Sequence, residues 1–230
     1  MKEKLQRLIV NDIPLTSSGI HTFLNPFSYY LIRKNGQLLE NFNSLGIDGI
    51  SMVWMLQMLG HSDVKRSSFD FTSQAPLFFR YCETNNKSIC LVGSENAVIV
   101  KAVEIIQASY PQLKIKMFRN GFFKNDLEMD QFQQEIIANN IDAVVCGMGT
   151  PYQEKFLLKL KEKGWDGVGA TCGGFFHQII DKGVDYYASW INTLHLRWAY
   201  RIYKEPKLLK RYFKFYPIGL FCIARDFLVL

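Results

Sequence analysis

The chain of 230 residues contains no CxxC pair; Cys82, Cys90, Cys146, Cys172 and Cys222 stand far apart and are odd in number. That argues against a disulfide scaffold and fits buried, reduced thiols in a cytosolic protein. Its four histidines, His21, His61, His177 and His195, lack the spacing of metal ligands. No GxGxxG segment follows the first apolar run, which disfavours a dinucleotide-dependent dehydrogenase. Long apolar runs are missing too. The longest charge-free stretch, Ile13 to Ile32, holds Pro14, Gly19, His21, Asn25 and Pro26 and cannot form a spanning helix. Leu8-Ile9-Val10 is too short for the apolar region of a signal peptide. Internal repeats and low-complexity tracts are also lacking. The expectation is a cytoplasmic protein without a transmembrane segment.

What is present is a folded composition, 48% hydrophobic and 21% charged, with a net charge of +6. The charge is localised. Arg197 to Lys214 carries seven basic residues against Glu205, so 7 − 1 = +6 sits in this strip and the remaining chain is neutral. Trp198, Tyr200, Tyr203, Tyr212 and Phe213 are interleaved with the basic residues, and Phe215 to Ala224 is charge-free. Basic residues beside aromatic and apolar ones suit an anionic membrane surface. A solvated basic helix face is the plainer alternative. No nucleic-acid-binding motif accompanies the charge, so nucleic acid is not expected as a partner.

From Ser88 onward strands and helices alternate. Ile89–Val92, Lys114–Phe118, Ala143–Cys146 and Gly167–Cys172 read as strands; Ala97–Tyr110, Asp126–Asn140 and Pro151–Lys163 read as helices. The first half reads less cleanly: a strand over Leu5–Val10, a helix over Pro26–Lys34, a strand over Leu45–Ile47, and helices over Ser51–Leu59 and Thr72–Asn85. The pattern implies an α/β, Rossmann-like, mostly parallel sheet with helices on both faces. Ligands of such sheets bind beyond the carboxyl ends of the strands. The loops there carry Asp48-Gly49, Gly93-Ser94, Asn120-Gly121, Gly147-Met148-Gly149 and Gly173-Gly174. Each can be a simple turn; together they favour a ligand of nucleotide type.

Ile47-Asp48-Gly49, Cys90-Leu91-Val92-Gly93, Tyr110-Pro111 with Asn120-Gly121-Phe122-Phe123, Gly149-Thr150-Pro151-Tyr152-Gln153-Glu154, Gly173-Gly174, and Leu196-Arg197-Trp198-Ala199-Tyr200-Arg201 follow one another in this order. The series resembles the WecG/TagA/CpsF family of bacterial glycosyltransferases. The resemblance implies an inverting, metal-independent transfer from a UDP-sugar of N-acetylmannosamine type to a lipid-diphosphate-linked sugar. No cofactor is implied beyond the UDP-sugar donor, and a homo-oligomer is allowed.

Inversion needs a base to take the acceptor hydroxyl's proton. By residue type Asp48 is either a strand-end acid or a helix N-cap; the resemblance makes it the base. Asn25 is a turn residue before Pro26 or, by resemblance, a group that orients a substrate hydroxyl. Gln153 and Glu154 on a first helical turn either complement the helix dipole or meet nucleotide and sugar hydroxyls. Substrate contacts are also expected from Gly49, Gly93, Gly121, Gly149 and Gly174, from Lys65 or Arg66 with Asp70, and from Arg201 and Arg211. Departures from the family pattern fall at Phe23, His177, Tyr187, Ser189, Arg197 and Leu208, and bear on the donor sugar. A second reading is an inactive homologue serving as a membrane-docked binding module. The expected organisation is a catalytic core over residues 1–194 and a basic, membrane-associating appendage over 195–230. The site of action is then the inner face of the cell membrane.

Overall fold

The computed structural model describes residues 6–33, 36–182, 191, 194 and 196–228. Tyr187, Ser189 and the proposed boundary after residue 194 lie outside or at the edge of these residues.

Six parallel strands form one sheet: β1 (Gly19–Leu24), β2 (Ser44–Ile47), β3 (Ser88–Gly93), β4 (Lys114–Arg119), β5 (Ala143–Gly147) and β6 (Val168–Thr171), in the order β2-β1-β6-β5-β3-β4. Helices α1 (Pro26–Ile32), α2 (Gly36–Glu40), α3 (Ile50–Met58), α4 (Gln74–Thr84), α5 (Asn96–Ser109), α6 (Asp126–Ala138), α7 (Tyr152–Glu162) and α8 (Phe175–Lys182) connect and cover it. The chain then forms α9 (Arg197–Lys204), a 3₁₀ turn (Pro206–Leu208), a π-helical turn (Arg211–Phe215) and α10 (Tyr216–Leu228).

Alternation along the strands feeds two cores. Cys90 and Val92 of β3 and Val144 and Cys146 of β5 join Leu56, Phe156 and Ile223 on one face. Ile89 and Leu91, with Ala143 and Val145, join Phe78, Phe79, Ile99 and Phe176 on the other. A strand buried on both faces reads as a continuous apolar run, which is why β3 and β5 are plain in the sequence.

β1 is not plain, and the sequence reading passed over it. Gly-Ile-His-Thr-Phe-Leu is fully buried yet has polar residues at its centre. Each finds a partner across the sheet: Thr22 Oγ1 lies 2.8 Å from Thr171 Oγ1, and His21 Nδ1 lies 2.6 Å from Ser44 Oγ. Those partners are remote in sequence and invisible to local pattern. The expected strand over Leu5–Val10 is instead a helical turn at 6–8 and a single bridge from Ile9 to Leu45.

The C-terminal segment is not a detached appendage. Cys222, Ile223 and Phe227 of α10 are buried in the first core. Gly219 lies so close to α1 that an added Cβ would stand 2.0 Å from the Pro26 carbonyl oxygen. Asp226 accepts two hydrogen bonds from Arg33, both 2.8 Å, and one from Tyr29 Oη at 3.0 Å. Among the described residues no helix is long and apolar enough to cross a membrane.

Candidate active site

Beyond the carboxyl ends of the strands lies a cavity of about 880 Å³, closed on one side by the C-terminal segment. Its walls include Asn25, Asp48, Gly49, Arg66, Asp70, Gly121, Gly149, Gln153, Gly174, Arg201 and Arg211, all expected from the sequence.

Asp48 follows β2, its N–H bonded to the Leu24 carbonyl at 2.8 Å. It is not the cap of α3: that position is Gly49, and no side chain caps the helix. The Asp48 carboxylate instead accepts a hydrogen bond from Arg66 Nη2 at 3.2 Å. Its side chain is 34% accessible, but that surface faces a walled cavity rather than open water. Burial raises its pKa, Arg66 opposes this, Asp70 adds to it, and Arg201 and Arg197 oppose; the net shift is upward. A raised pKa makes the carboxylate a better proton acceptor.

Arg66 Nη2 also donates to Ser68 Oγ at 2.6 Å and to Asp70 Oδ2 at 2.9 Å. Burial would raise the Asp70 pKa, but Arg66, Arg197 and hydrogen bonds from Thr72 and Ser68 prevail and hold it at about 2. Asp70 is therefore a fixed anion. Lys65 does not border the cavity, whereas Arg66 does; the Lys65 N–H bonds Asn11 Oδ1 at 2.7 Å.

Asn25 caps α1: its Oδ1 accepts from the N–H groups of Phe27 and Ser28. Only its amide NH₂ is thus left for a ligand in the cavity. Gln153 lies in the floor, with its Oε1 3.2 Å from the Gly173 N–H. Glu154 points away into the sheet, fully buried, and its Oε1 accepts from Gln153, Thr150 and Thr22. It supports the floor and does not line the cavity, because the helical turn that aims Gln153 at the cavity aims Glu154 beneath it. Burial raises its pKa.

The glycine loops crowd together. Gly93 has φ of 148°, and a Cβ there would meet the Gly147 carbonyl oxygen at 2.4 Å, so only glycine lets these strand ends approach. Gly93 itself does not line the cavity; its neighbour Ser94 does. Gly149 has φ of 77° and faces open space.

Four basic residues of the C-terminal strip, Arg197, Arg201, Lys207 and Arg211, border the cavity. Arg211 sits on the π-helical turn, its guanidinium 4.5 Å from the Phe27 ring centroid. Burial lowers its pKa, and the neighbouring Arg201 charge lowers it further. Arg201 pairs with Glu205, its Nη2 3.6 Å from Oε1, and the Glu205 charge also opposes the lowering at Arg211. Lys204, Lys210 and Lys214 point outward and are exposed. Phe23, His177 and Leu208 line the cavity, so these departures from the family pattern are cavity residues. The sequence reading missed Tyr216, Trp54 and Thr171, which also line it. Burial pushes the Tyr216 hydroxyl well up, and Tyr212 and Asp48 push it further, so it stays protonated beside the carboxylate. Its signal, an aromatic five residues after Arg211, is lost among the strip's other aromatics.

Residues 1–229 match the family described as Glycosyl transferase WecG/TagA/CpsF family. The chain belongs to this family. It is 34% identical over 214 residues to UDP-Gal:alpha-D-GlcNAc-diphosphoundecaprenol beta-1,4-galactosyltransferase of Shigella boydii, covering 93% of this chain and 88% of that one. It is 24% identical over 230 residues to N-acetylglucosaminyldiphosphoundecaprenol N-acetyl-beta-D-mannosaminyltransferase of Bacillus subtilis (strain 168), covering 90% and 87%. The protein is a glycosyltransferase of polysaccharide biosynthesis, with a Rossmann-like fold.

Proposed function

We propose that this glycosyltransferase moves a hexose from a UDP-sugar, with inversion and without a metal, to an N-acetylglucosaminyl-diphosphoundecaprenol-type acceptor. Asp48 takes the acceptor hydroxyl's proton as that oxygen attacks the anomeric carbon. The bond from that carbon to the UDP oxygen breaks, and the leaving diphosphate keeps the electron pair. Arg201, Arg211 and the amides of the glycine loops receive the growing negative charge, where such groups are most effective. The observation that carries this reading is one cavity lined both by a sheltered carboxylate at a strand end and by Arg201 and Arg211 of the C-terminal segment.

The donor is the finer point. The resemblance in the sequence points to an N-acetylmannosamine type. The relative at 34% identity is named for UDP-galactose and favours a galactose donor instead. Phe213, which borders the cavity, and Phe221 and Leu209, which do not, are exposed on the same C-terminal segment as the exposed Lys210 and Lys214. This face supports peripheral docking on an anionic membrane, where the acceptor resides.

The test is transfer to the lipid-linked acceptor from UDP-galactose, UDP-N-acetylmannosamine and UDP-N-acetylglucosamine, with and without EDTA. We expect turnover with one donor, insensitive to EDTA. No turnover with any donor in the presence of membranes would refute the reading and favour an inactive docking module.

A further inference from the structure

We propose that Arg197 is a positioning residue that acts on Asp48 through Asp70 and Arg66. This inference rests on the role of Asp48 as base.

Arg197 opens α9 and reaches back to the segment between α3 and α4. Its Nη1 lies 3.2 Å from Asp70 Oδ2, and its Nη2 donates to Thr72 Oγ1 at 2.6 Å. Thr72 in turn donates its N–H to Asp70 Oδ1 at 2.8 Å. Arg197 thus braces both oxygens of Asp70, one directly and one through Thr72.

Asp70 Oδ2 and Asp48 Oδ1 share one nitrogen, Arg66 Nη2, at 2.9 and 3.2 Å. Two carboxylates compete for that nitrogen. Arg197 supplies Asp70 with a second cation, which leaves Arg66 able to reach Asp48. Without Arg197, Asp70 draws Arg66 toward itself and the contact with Asp48 lengthens. The side chains of Arg66, Asp70 and Arg197 are 21%, 11% and 18% accessible, so water screens the competition weakly. Among the described residues, the charged and titratable groups facing Asp48 are Arg66 and Asp70 from the segment between α3 and α4, Arg197 and Arg201 from α9, and Tyr216 from α10. Arg197 favours the ionised carboxylate.

The experiment compares wild type, Arg197→Gln, Arg197→Lys, Asp70→Asn and the Arg197→Gln/Asp70→Asn pair in full-length protein. UDP affinity, kcat and the pH profile of kcat/KM are measured, with the Asp48 carboxyl titration followed by carbon-13 NMR. Arg197→Gln should lower kcat about tenfold, as expected for a displaced catalytic group. UDP affinity should change less than about twofold. The acidic limb of the profile and the NMR titration of Asp48 should both move to higher pH. Arg197→Lys, which keeps the cation, should return the limb toward wild type. On the Asp70→Asn background, where the link is cut, Arg197→Gln should change kcat by less than about twofold.

An equal loss of kcat on both backgrounds would show that Arg197 acts directly on the ligand and would overturn the proposal. So would an Asp48 titration unmoved by Arg197→Gln. That titration needs no turnover, so it tests the link even if the wild type transfers none of the sugars offered. Absence of turnover would count against the proposed function alone.

Discussion

Removing the Asp226 carboxylate should loosen the wall of the active site by releasing the last helix. Asp226 is 9% accessible by side chain and ties α10 to α1 through Arg33 and Tyr29. Asp226→Ala deletes three hydrogen bonds from α1 and its C-cap, two of them from the Arg33 guanidinium, and two longer ones from Arg225 at 3.2 and 3.3 Å. Breaking a fully buried ion pair costs about 3–5 kcal/mol. Arg33 is 18% accessible and can turn to water, so the expected loss is nearer about 2 kcal/mol. For a chain of this size that lowers Tm by roughly 4–8 °C. Urea unfolding followed by tryptophan fluorescence should show a lower midpoint at unchanged slope. Arg225→Ala is the control: Arg225 is 51% accessible and holds Asp226 Oδ1 only at 3.2 and 3.3 Å, so it should cost less than about 0.5 kcal/mol. The sign with pH follows. Burial raises the Asp226 pKa, but Arg33 and Tyr29 outweigh this and hold it below its ordinary value. Its contribution is therefore complete above the unfolded carboxyl pKa and fades as pH falls through the lower folded value. Equal stability of Asp226→Ala and Arg225→Ala would refute the tether.

Gly219→Ala places a methyl group 2.0 Å from the Pro26 carbonyl oxygen and should cost about 1–3 kcal/mol by urea unfolding. His21 has its pKa lowered from 6.5 to about 4, first by burial and then by Lys161. Its neutral form thus favours the fold fully above 6.5, and that contribution falls by about 3 kcal/mol between pH 6.5 and 4. His21→Gln should flatten that part of the stability–pH curve; an unchanged slope would contradict the assignment. Arg211→Ala should weaken UDP binding by roughly 10- to 100-fold in calorimetry, the loss of one charge-assisted contact. Arg211→Lys should recover part of it.

The doubly wound sheet was legible from Ser88 onward because β3 and β5 are apolar runs bounded by glycine, separated by helices of regular period. The first half was harder. β1 places His21 and Thr22 in the interior, and only their remote partners Ser44 and Thr171 make that tolerable. Asp48 was legible beside a strand-end glycine, as a cap or a base; Arg66 was legible only as one of two, Lys65 or Arg66, and its hydrogen bonds to Asp48 and Asp70 do not show in that local pattern. Which of Gln153 and Glu154 faces the cavity was not, because it depends on the rotation of α7 against the sheet. The basic strip was legible as charge, not as direction. The π-helical turn turns Arg211 toward the cavity while Lys210 and Lys214 face outward. The packing of α10 followed from Gly219 and Asp226, neither of which signals a partner locally. A cut after Tyr200 would therefore remove core residues as well as the exposed basic and aromatic surface.

The central claim is that Asp48 is the base of a sugar transfer. The direct measurement is kcat for transfer to the lipid-linked acceptor by wild type and Asp48→Asn, alongside the Kd for UDP. The account predicts a loss of roughly 10²- to 10⁴-fold in kcat with UDP affinity nearly unchanged. Transfer at the wild-type rate by Asp48→Asn would contradict it.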